Sequence, residues 1–348
     1  MSRPDSPSCA APDGEIASPD AARIARFRDD FRAVAGQEPA PAAPLGLAVS
    51  GGPDSVALLL LAAAAWPGSV HAATVDHRLR PESADEAAMV AALCTRIGVP
   101  HATLTRAESG VFAGNQQEAA RTLRYTLLSQ WAAGTGLLWV ATAHQRDDIA
   151  ETFLMRARRG AGVGGLAAMV PMRPMLAEDP ASPLLVRPLL GWSRAELSGL
   201  ARCAGAPFVT DRSNADPRYD RARIRRLIDE SDDLSPGRLA LAAGNLRHAE
   251  DGLEWSFARE LPGRVSGTGA DLTVDAGQLP YELRRRLARW AIDAVRNAAG
   301  LTHPWGDQGL DRFVSALDRG DAATLAAIMA HPAGDRWRFR MAPSRRSH

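Results

Sequence analysis

A six-residue turn, Ser50-Gly51-Gly52-Pro53-Asp54-Ser55, joins the apolar run 45–49 to the helix-like stretch 55–66. It constrains the fold more than any other feature, because a strand, a tight turn and a helix in that order place the turn at a helix N-terminus. Gly51 and Gly52 let the backbone bend sharply and bring its N–H groups close to an anion, and Ser50 and Ser55 add hydroxyl groups. The positive end of the helix dipole completes a cradle of pyrophosphate size. The loop is not Gly-x-x-x-x-Gly-Lys-Ser/Thr, and it is not the Gly-x-Gly-x-x-Gly of dinucleotide folds.

Downstream, strand and helix patterns alternate: 45–49, 55–66, 70–76, 82–97, 101–105, 116–133, 137–143 and 147–158. Such alternation predicts an α/β fold, a parallel sheet with helices on both faces, in the manner of Rossmann-like nucleotide-binding domains. Open parallel sheets bind ligands beyond the carboxyl ends of their strands, where Ser50, Asp76 and His144 would all lie. A further crossover is expected through 184–188 and 193–204. After 235 the pattern becomes mainly helical, at 238–261, 280–299 and 307–318, with a final strand at 336–341. The expected divisions are a partly disordered, then helical N-terminal extension over 1–40, a catalytic domain over 41–232 and a smaller helical domain over 235–342.

Net charge is +1, so any nucleic-acid contact must come from local clusters. All 41 basic residues are arginine, which reads as an arginine- and alanine-biased coding composition. Cys9, Cys94 and Cys203 are far apart and form no Cys-x-x-Cys, which argues against a zinc or iron–sulfur site and fits a reducing cytoplasm. No apolar run is long enough for a membrane span and no signal-peptide pattern opens the chain.

Several segments carry chemistry. Asp76 and His77 close the second strand, ahead of Arg78 and Arg80, and suit contacts with a nucleoside or its phosphates, although such a pair also closes ordinary turns. On 115–125, Glu118, Arg121 and Tyr125 share a helical face with Arg124 on the next row, so Arg121 or Arg124 can fork a phosphate. In 142–152, His144 precedes a helix on which Asp148 and Glu151 share a face. Two carboxylates there can chelate magnesium, bind an ammonium group or take a proton from an attacking amine. The glycine-rich 158–166 is either a basic loop that orders over substrate or a helix cap and linker. Between 212 and 226, six arginines face two aspartates, an excess that suits phosphate or RNA. For Arg284, Arg285 and Arg286, a solvated helix face and a nucleic-acid contact stand level.

The first loop resembles the PP-loop of the ATP pyrophosphatases, which cleave ATP between the α and β phosphates and pass AMP to a substrate oxygen. Together with Val-Asp-His-Arg-Leu-Arg-Pro-Glu-Ser, Ala-Ala-Arg-Thr-Leu-Arg-Tyr, Ala-His-Gln-Arg-Asp-Asp-Ile-Ala-Glu-Thr-Phe-Leu and Arg-Ala-Arg-Ile-Arg, it resembles the tRNA(Ile)-lysidine synthetase family over 45–230. The resemblance implies binding of ATP, with Mg2+, by Ser50, Gly51, Gly52, Pro53, Asp54, Ser55, Asp76 and His77. It implies adenylation of the wobble cytidine in a CAU anticodon of tRNA(Ile), then attack by the ε-amine of free L-lysine. Asp54 and Ser55 would position ATP and cytidine, and Asp148 and Glu151 would recognise or deprotonate lysine. Arg121, Arg124, Arg221 and Arg225 would hold phosphates or the anticodon. The proton acceptor is open among His144, Asp148 and Glu151. Ala222 departs from the family's usual Asn, and because 235–340 resembles only the helical domain that follows the catalytic core, recognition of the acceptor stem is expected to differ from that of longer members. A homodimer stands among the expected assemblies. The competing readings are a PP-loop tRNA thiolase, which generally needs paired cysteines, another adenylating amidotransferase, which needs an ammonia source, and a non-catalytic nucleotide sensor.

Overall fold

The computed structural model describes residues 15–76, 83–105, 116–176, 179–209 and 220–343. They form two compact units, divided between Leu246 and Arg247. The first unit runs α1 (Ala21–Ala35), β1 (Leu45–Ala48), α2 (Pro53–Ala65), β2 (Val70–Asp76), α3 (Ser83–Arg96), β3 (His101–Thr105), α4 (Gln116–Gly134), β4 (Trp139–Ala141) and α5 (Arg146–Ala157). It continues through α6 (Val163–Leu166), β5 (Met172–Pro174), β6 (Leu184–Val186), α7 (Arg194–Cys203), α8 (Asp220–Asp229) and the first part of α9 (Pro236–Glu260).

The strands form one sheet in the order β3-β2-β1-β4-β6-β5, parallel except for the short edge strand β5. β2 and β4 lie on opposite sides of β1, so the strand order reverses between β1 and β4 and opens a crevice there. β1 admits this packing because position 46 is glycine: a Cβ there would stand 3.1 Å from the Trp139 carbonyl oxygen and closer still to Leu137 and Trp131. One face of the sheet is covered by α2, whose Val56, Leu58, Leu59 and Leu61 are fully buried, together with residues of α1, α3 and α7. On the other face Tyr125, Leu128 and Ala132 of α4 pack against Ala73, Val140 and Leu185. The structure thus has the two-sided parallel sheet that the alternation predicts.

Residues 21–35, expected in a separate extension, are built into this unit. Phe27 and Phe31 are completely buried, and Phe31 meets Trp66 edge-on at 4.9 Å between ring centres. Asp20 caps α1 by accepting from Arg23 N at 2.8 Å, and Gly36, at φ +75°, ends it.

The second unit holds the remainder of α9, then β7 (Val265–Thr268), β8 (Asp271–Asp275), α10 (Tyr281–Ala298), α11 (Leu310–Asp318), β9 (Ala323–Leu325), β10 (Ile328–Ala333) and β11 (Arg336–Met341). α10 and α11 share a core with the inner face of an antiparallel sheet, order β7-β8-β11-β10-β9, through Leu287, Ile292, Phe313, Trp337 and Phe339. Of these five strands only β11 matches an expected one, at 336–341. The β9–β10 hairpin turns through Ala326 and Ala327, both at positive φ (51° and 67°), where asparagine or glycine is the usual signal. Arg296 holds that turn by donating to the Ala326 carbonyl at 2.6 Å.

Candidate active site

The turn between β1 and α2 is ordered by its own hydroxyl groups. Ser55 Oγ donates to the Gly52 carbonyl at 2.9 Å and accepts from Ser50 N at 3.2 Å, while Ser50 Oγ donates to Ser55 Oγ at 3.3 Å. Gly51 sits at φ +83°, a left-handed conformation that favours glycine, with Met89 Cε 3.3 Å from where a Cβ would be. Its carbonyl accepts from Val209 N at 2.8 Å. Pro53 takes the first helical position, where the missing N–H costs nothing, and Asp54 follows in the first turn.

Across the crevice, α5 starts from the end of β4. Gln145 caps it: its side-chain oxygen accepts from Asp147 N at 2.6 Å, and Asp148 Oδ2 accepts from Gln145 N at 3.1 Å. Gln145 Nε2 also lies 3.5 Å from Asp54 Oδ2, linking the two helix starts, while Asp54 Oδ1 is buried with no partner. Burial, then the neighbouring charge of Asp148, pushes the Asp54 carboxyl up to about 6.

Asp148 and Glu151 share the inward face of α5, as their spacing predicts. Glu151 is 1 % exposed and receives Arg194 Nη2 at 2.7 Å, Arg221 Nε at 2.7 Å and Arg225 Nε at 2.9 Å. Burial works against its ionisation, yet the hydrogen bond from Arg225 and the charges of Arg221 and Arg194 hold it at about 2. Asp148 takes Arg221 Nη2 at 2.7 Å, and Arg194 lies 3.6 Å away. Burial raises the Asp148 carboxyl above its ordinary range against the pull of Arg221. Both acids therefore already accept guanidinium N–H donors at hydrogen-bond distance.

His144 stands at the β4 end, with Thr142 Oγ1 2.8 Å from its Nδ1. Burial, then the charges of Arg187, Arg221, Arg121 and Arg124, lowers it to about 3, so the imidazole is neutral near pH 7 and a weak proton acceptor. Arg121 is exposed on α4, its guanidinium 5.1 Å from the Tyr125 ring, and Arg124 is exposed on the same helix. Asp76 is buried at the end of β2, beside β1. His77, the segment 211–214 and Cys9 lie outside the described residues.

Two arginines escaped the sequence reading. Arg187 follows β6 directly, is 5 % exposed and donates to the Val170 carbonyl. Its place at a strand's carboxyl end was the available signal. Arg194 opens α7 behind the capping residue Ser193. The glycine-rich segment after α5 closes that helix rather than forming a free loop: Gly160 is at φ +72°, Ala161 N donates to the Arg156 carbonyl at 3.1 Å, and Arg159 pairs with Asp220 at 2.8 Å. Arg284, Arg285 and Arg286 are tied down within the second unit, to Asp318, to Asp307 and Asp311, and to Glu250 and Glu282.

The PP-loop domain family matches residues 23–231. The tRNA(Ile)-lysidine synthase of Zymomonas mobilis is 43% identical over 87% of this chain and 89% of its own length. That of Novosphingobium aromaticivorans is 42% identical over 92% of this chain and 94% of its own. The chain belongs to the tRNA(Ile)-lysidine synthase family. Family membership extends over both units, since a third such relative, from Methylobacterium nodulans, is 44% identical across 89% of this chain. Among solved structures, a U34-tRNA thiolase from Methanococcus maripaludis superposes with a TM-score of 0.52 over 66% of this chain and 80% of its own, at 15% identity, a likeness of fold. Cys94, by contrast, is buried in the core of the first unit, where burial pushes its thiol up to about 12.

Proposed function

We propose that this protein joins lysine to C2 of the wobble cytidine in the CAU anticodon of tRNA(Ile), using ATP and giving lysidine, AMP and pyrophosphate. The observation that carries the reading is the acidic group Asp54, Asp148 and Glu151, which lies against a pyrophosphate-sized loop and is lined with cationic N–H donors. In the first step the cytidine O2 attacks the α-phosphorus and the bond to pyrophosphate breaks. The N–H groups of 50–55 and the start of α2 suit the leaving pyrophosphate. In the second step the ε-amine of lysine attacks C2, the C2–O bond breaks and AMP leaves.

Free lysine is almost wholly ammonium at neutral pH, with a side-chain pKa of about 10.4, so the site must bind that cation and remove a proton. Asp148 is the better seat, because Glu151 is engaged by three guanidinium groups. Arg121 and Arg124 would hold phosphate or the anticodon, and Arg221 and Arg225 join them from α8. Magnesium would arrive on the triphosphate and offset its charge; among the described residues no three acidic, histidine or cysteine side chains gather into a ligand set. No helix among the described residues is long and apolar enough to cross a membrane, which accords with a cytoplasmic site of action.

The test is Asp148→Asn, assayed for tRNA-dependent ATP–pyrophosphate exchange and for transfer of labelled lysine to the CAU-anticodon tRNA. Lysine transfer should fall about 100-fold while exchange is largely kept. Equal retention of both half-reactions would remove Asp148 from the amine step. A wild-type protein that charges no lysine onto the RNA would remove the reading itself.

A further inference from the structure

Arg194 reaches the acidic group from a junction that is unusually well fixed. Trp192 is 1 % exposed, its indole N–H donates to Asp30 Oδ2 at 2.8 Å, and the Arg26 guanidinium lies 4.1 Å from its ring centre. Arg26 also donates to Glu196 at 2.8 Å and to the Gly191 carbonyl at 2.9 Å. Ser193 and Glu196 close a capping box on α7, and the Trp192 carbonyl accepts from Arg146 N at 2.8 Å. The backbone N–H of Arg194 itself donates to Asp147 Oδ2 at 3.2 Å. Helices α1 and α5 thus both fix where the Arg194 side chain begins.

Its guanidinium then meets Glu151 at 2.7 Å and stands 3.6 Å from Asp148. Arg221 and Arg225 approach from α8, and Arg221 is the more solvent-open, its side chain 44 % exposed against 25 % for Arg194. We propose that Arg194 is a positioning residue, whose guanidinium fixes the Asp148 and Glu151 carboxylates from the α7 side and keeps the acidic group facing the nucleotide loop charged for the incoming amine. The effect on catalysis rests on the lysine-transfer reading; the effect on the carboxylates does not.

The charges facing the group come from four elements. Asp54 on α2 faces Asp148 on α5, Arg194 on α7, Arg225 on α8 and the neutral Gln145. Asp148 faces Arg221, Glu151 and Arg194. Within this set Arg194 lowers the carboxyl of Asp54, so its removal lets that carboxyl rise further.

Two measurements test this on the full chain. In the first, carboxyl carbon-13 NMR follows the aspartates with pH in wild type, Arg194→Gln and Arg194→Lys, with the Asp54 signal assigned by its loss in Asp54→Asn. The Asp54 midpoint should move up by about half a pH unit or more in the glutamine variant and return towards wild type in the lysine variant. In the second, kcat/KM for lysine is followed against pH. Arg194→Gln should raise KM for lysine about tenfold and carry the acid limb upward, while Arg194→Lys should restore the limb but only part of KM, because the planar fork is gone. An unmoved Asp54 midpoint in folded Arg194→Gln would overturn the proposal, as would a loss of melting temperature and kcat with limb and KM unchanged. A moved midpoint in a protein that transfers no lysine would leave the positioning role standing and overturn the lysine reading instead.

Discussion

At the residue scale, the protonation states of the site follow from burial and partners rather than residue type. Glu151 and Asp54 are both carboxylates near the crevice, yet three guanidinium groups hold one ionised to about 2 while burial lifts the other to about 6. Against an ordinary value of 3.8, the Asp54 shift corresponds to an ionisation cost on the order of 3 kcal/mol in the folded state. The sign is that of a raised acid: the cost is full above about pH 6 and fades as pH falls through 6 towards 4, where the folded carboxyl is protonated. Asp54→Asn should therefore stabilise the protein by about 1–2 kcal/mol at pH 8, with the gain vanishing near pH 4, while lysidine formation is lost. Urea unfolding at the two pH values checks it. The sequence named all three acids and His144, since their spacing at strand ends and helix starts is local. It left the proton acceptor open because the charges that decide it come from elsewhere. His144 is held neutral by burial and by arginines on α4, on α8 and after β6.

At the scale of single elements, α8 is the carrier of two of the three arginines on Glu151. Ile224 and Ile228, three and seven residues after Arg221, pack on Ala150 of α5 with Leu154 and Met155, and this apolar seam aims Arg221 and Arg225 at the acids. Ile224→Ala should destabilise the protein by about 2–4 kcal/mol and raise KM for lysine, a pairing read by thermal melts and steady-state kinetics. From β1 to α5, and again at β6 and α7, the strands and helices were legible to within two residues because apolar periodicity and glycine or capping signals coincide there, whereas α6, β5 and α8 carry no such pattern. The β9–β10 hairpin was not, because its turn is Ala326-Ala327, which carries no turn signal and is stabilised by the distant Arg296. Likewise α1 reads as an amphipathic helix, but only its packing on Trp66 and Trp192 makes it part of the first core.

At the scale of the whole chain, each unit has its own core, and charge pairing plays a different part in each. In the first unit arginines converge on a functional crevice; in the second, arginines of α10 fasten helices to one another. Arg286 meets the buried Glu250 at 2.6 Å and Glu282 at 3.0 Å. Arg286→Gln should lower the stability of the second unit by about 3 kcal/mol, because Glu250 would stay buried without its cation, and should leave the salt dependence of tRNA binding unchanged. Denaturation followed by Trp337 fluorescence and filter binding over a salt series read the two effects separately. By itself the sequence determined the β1–α2 phosphate loop, the order of the sheet-forming segments and the placing of Asp54, His144, Asp148 and Glu151 at one sheet edge. Steric limits on glycine and the periods of helix and strand act over a few residues, so they are written locally. Only the tertiary structure decided that Arg194, Arg221 and Arg225, lying 43, 70 and 74 residues from Glu151, neutralise it, and that Arg284, Arg285 and Arg286 serve the fold. Charge pairing depends on burial and on contacts between distant segments, and neither exists until the chain has folded.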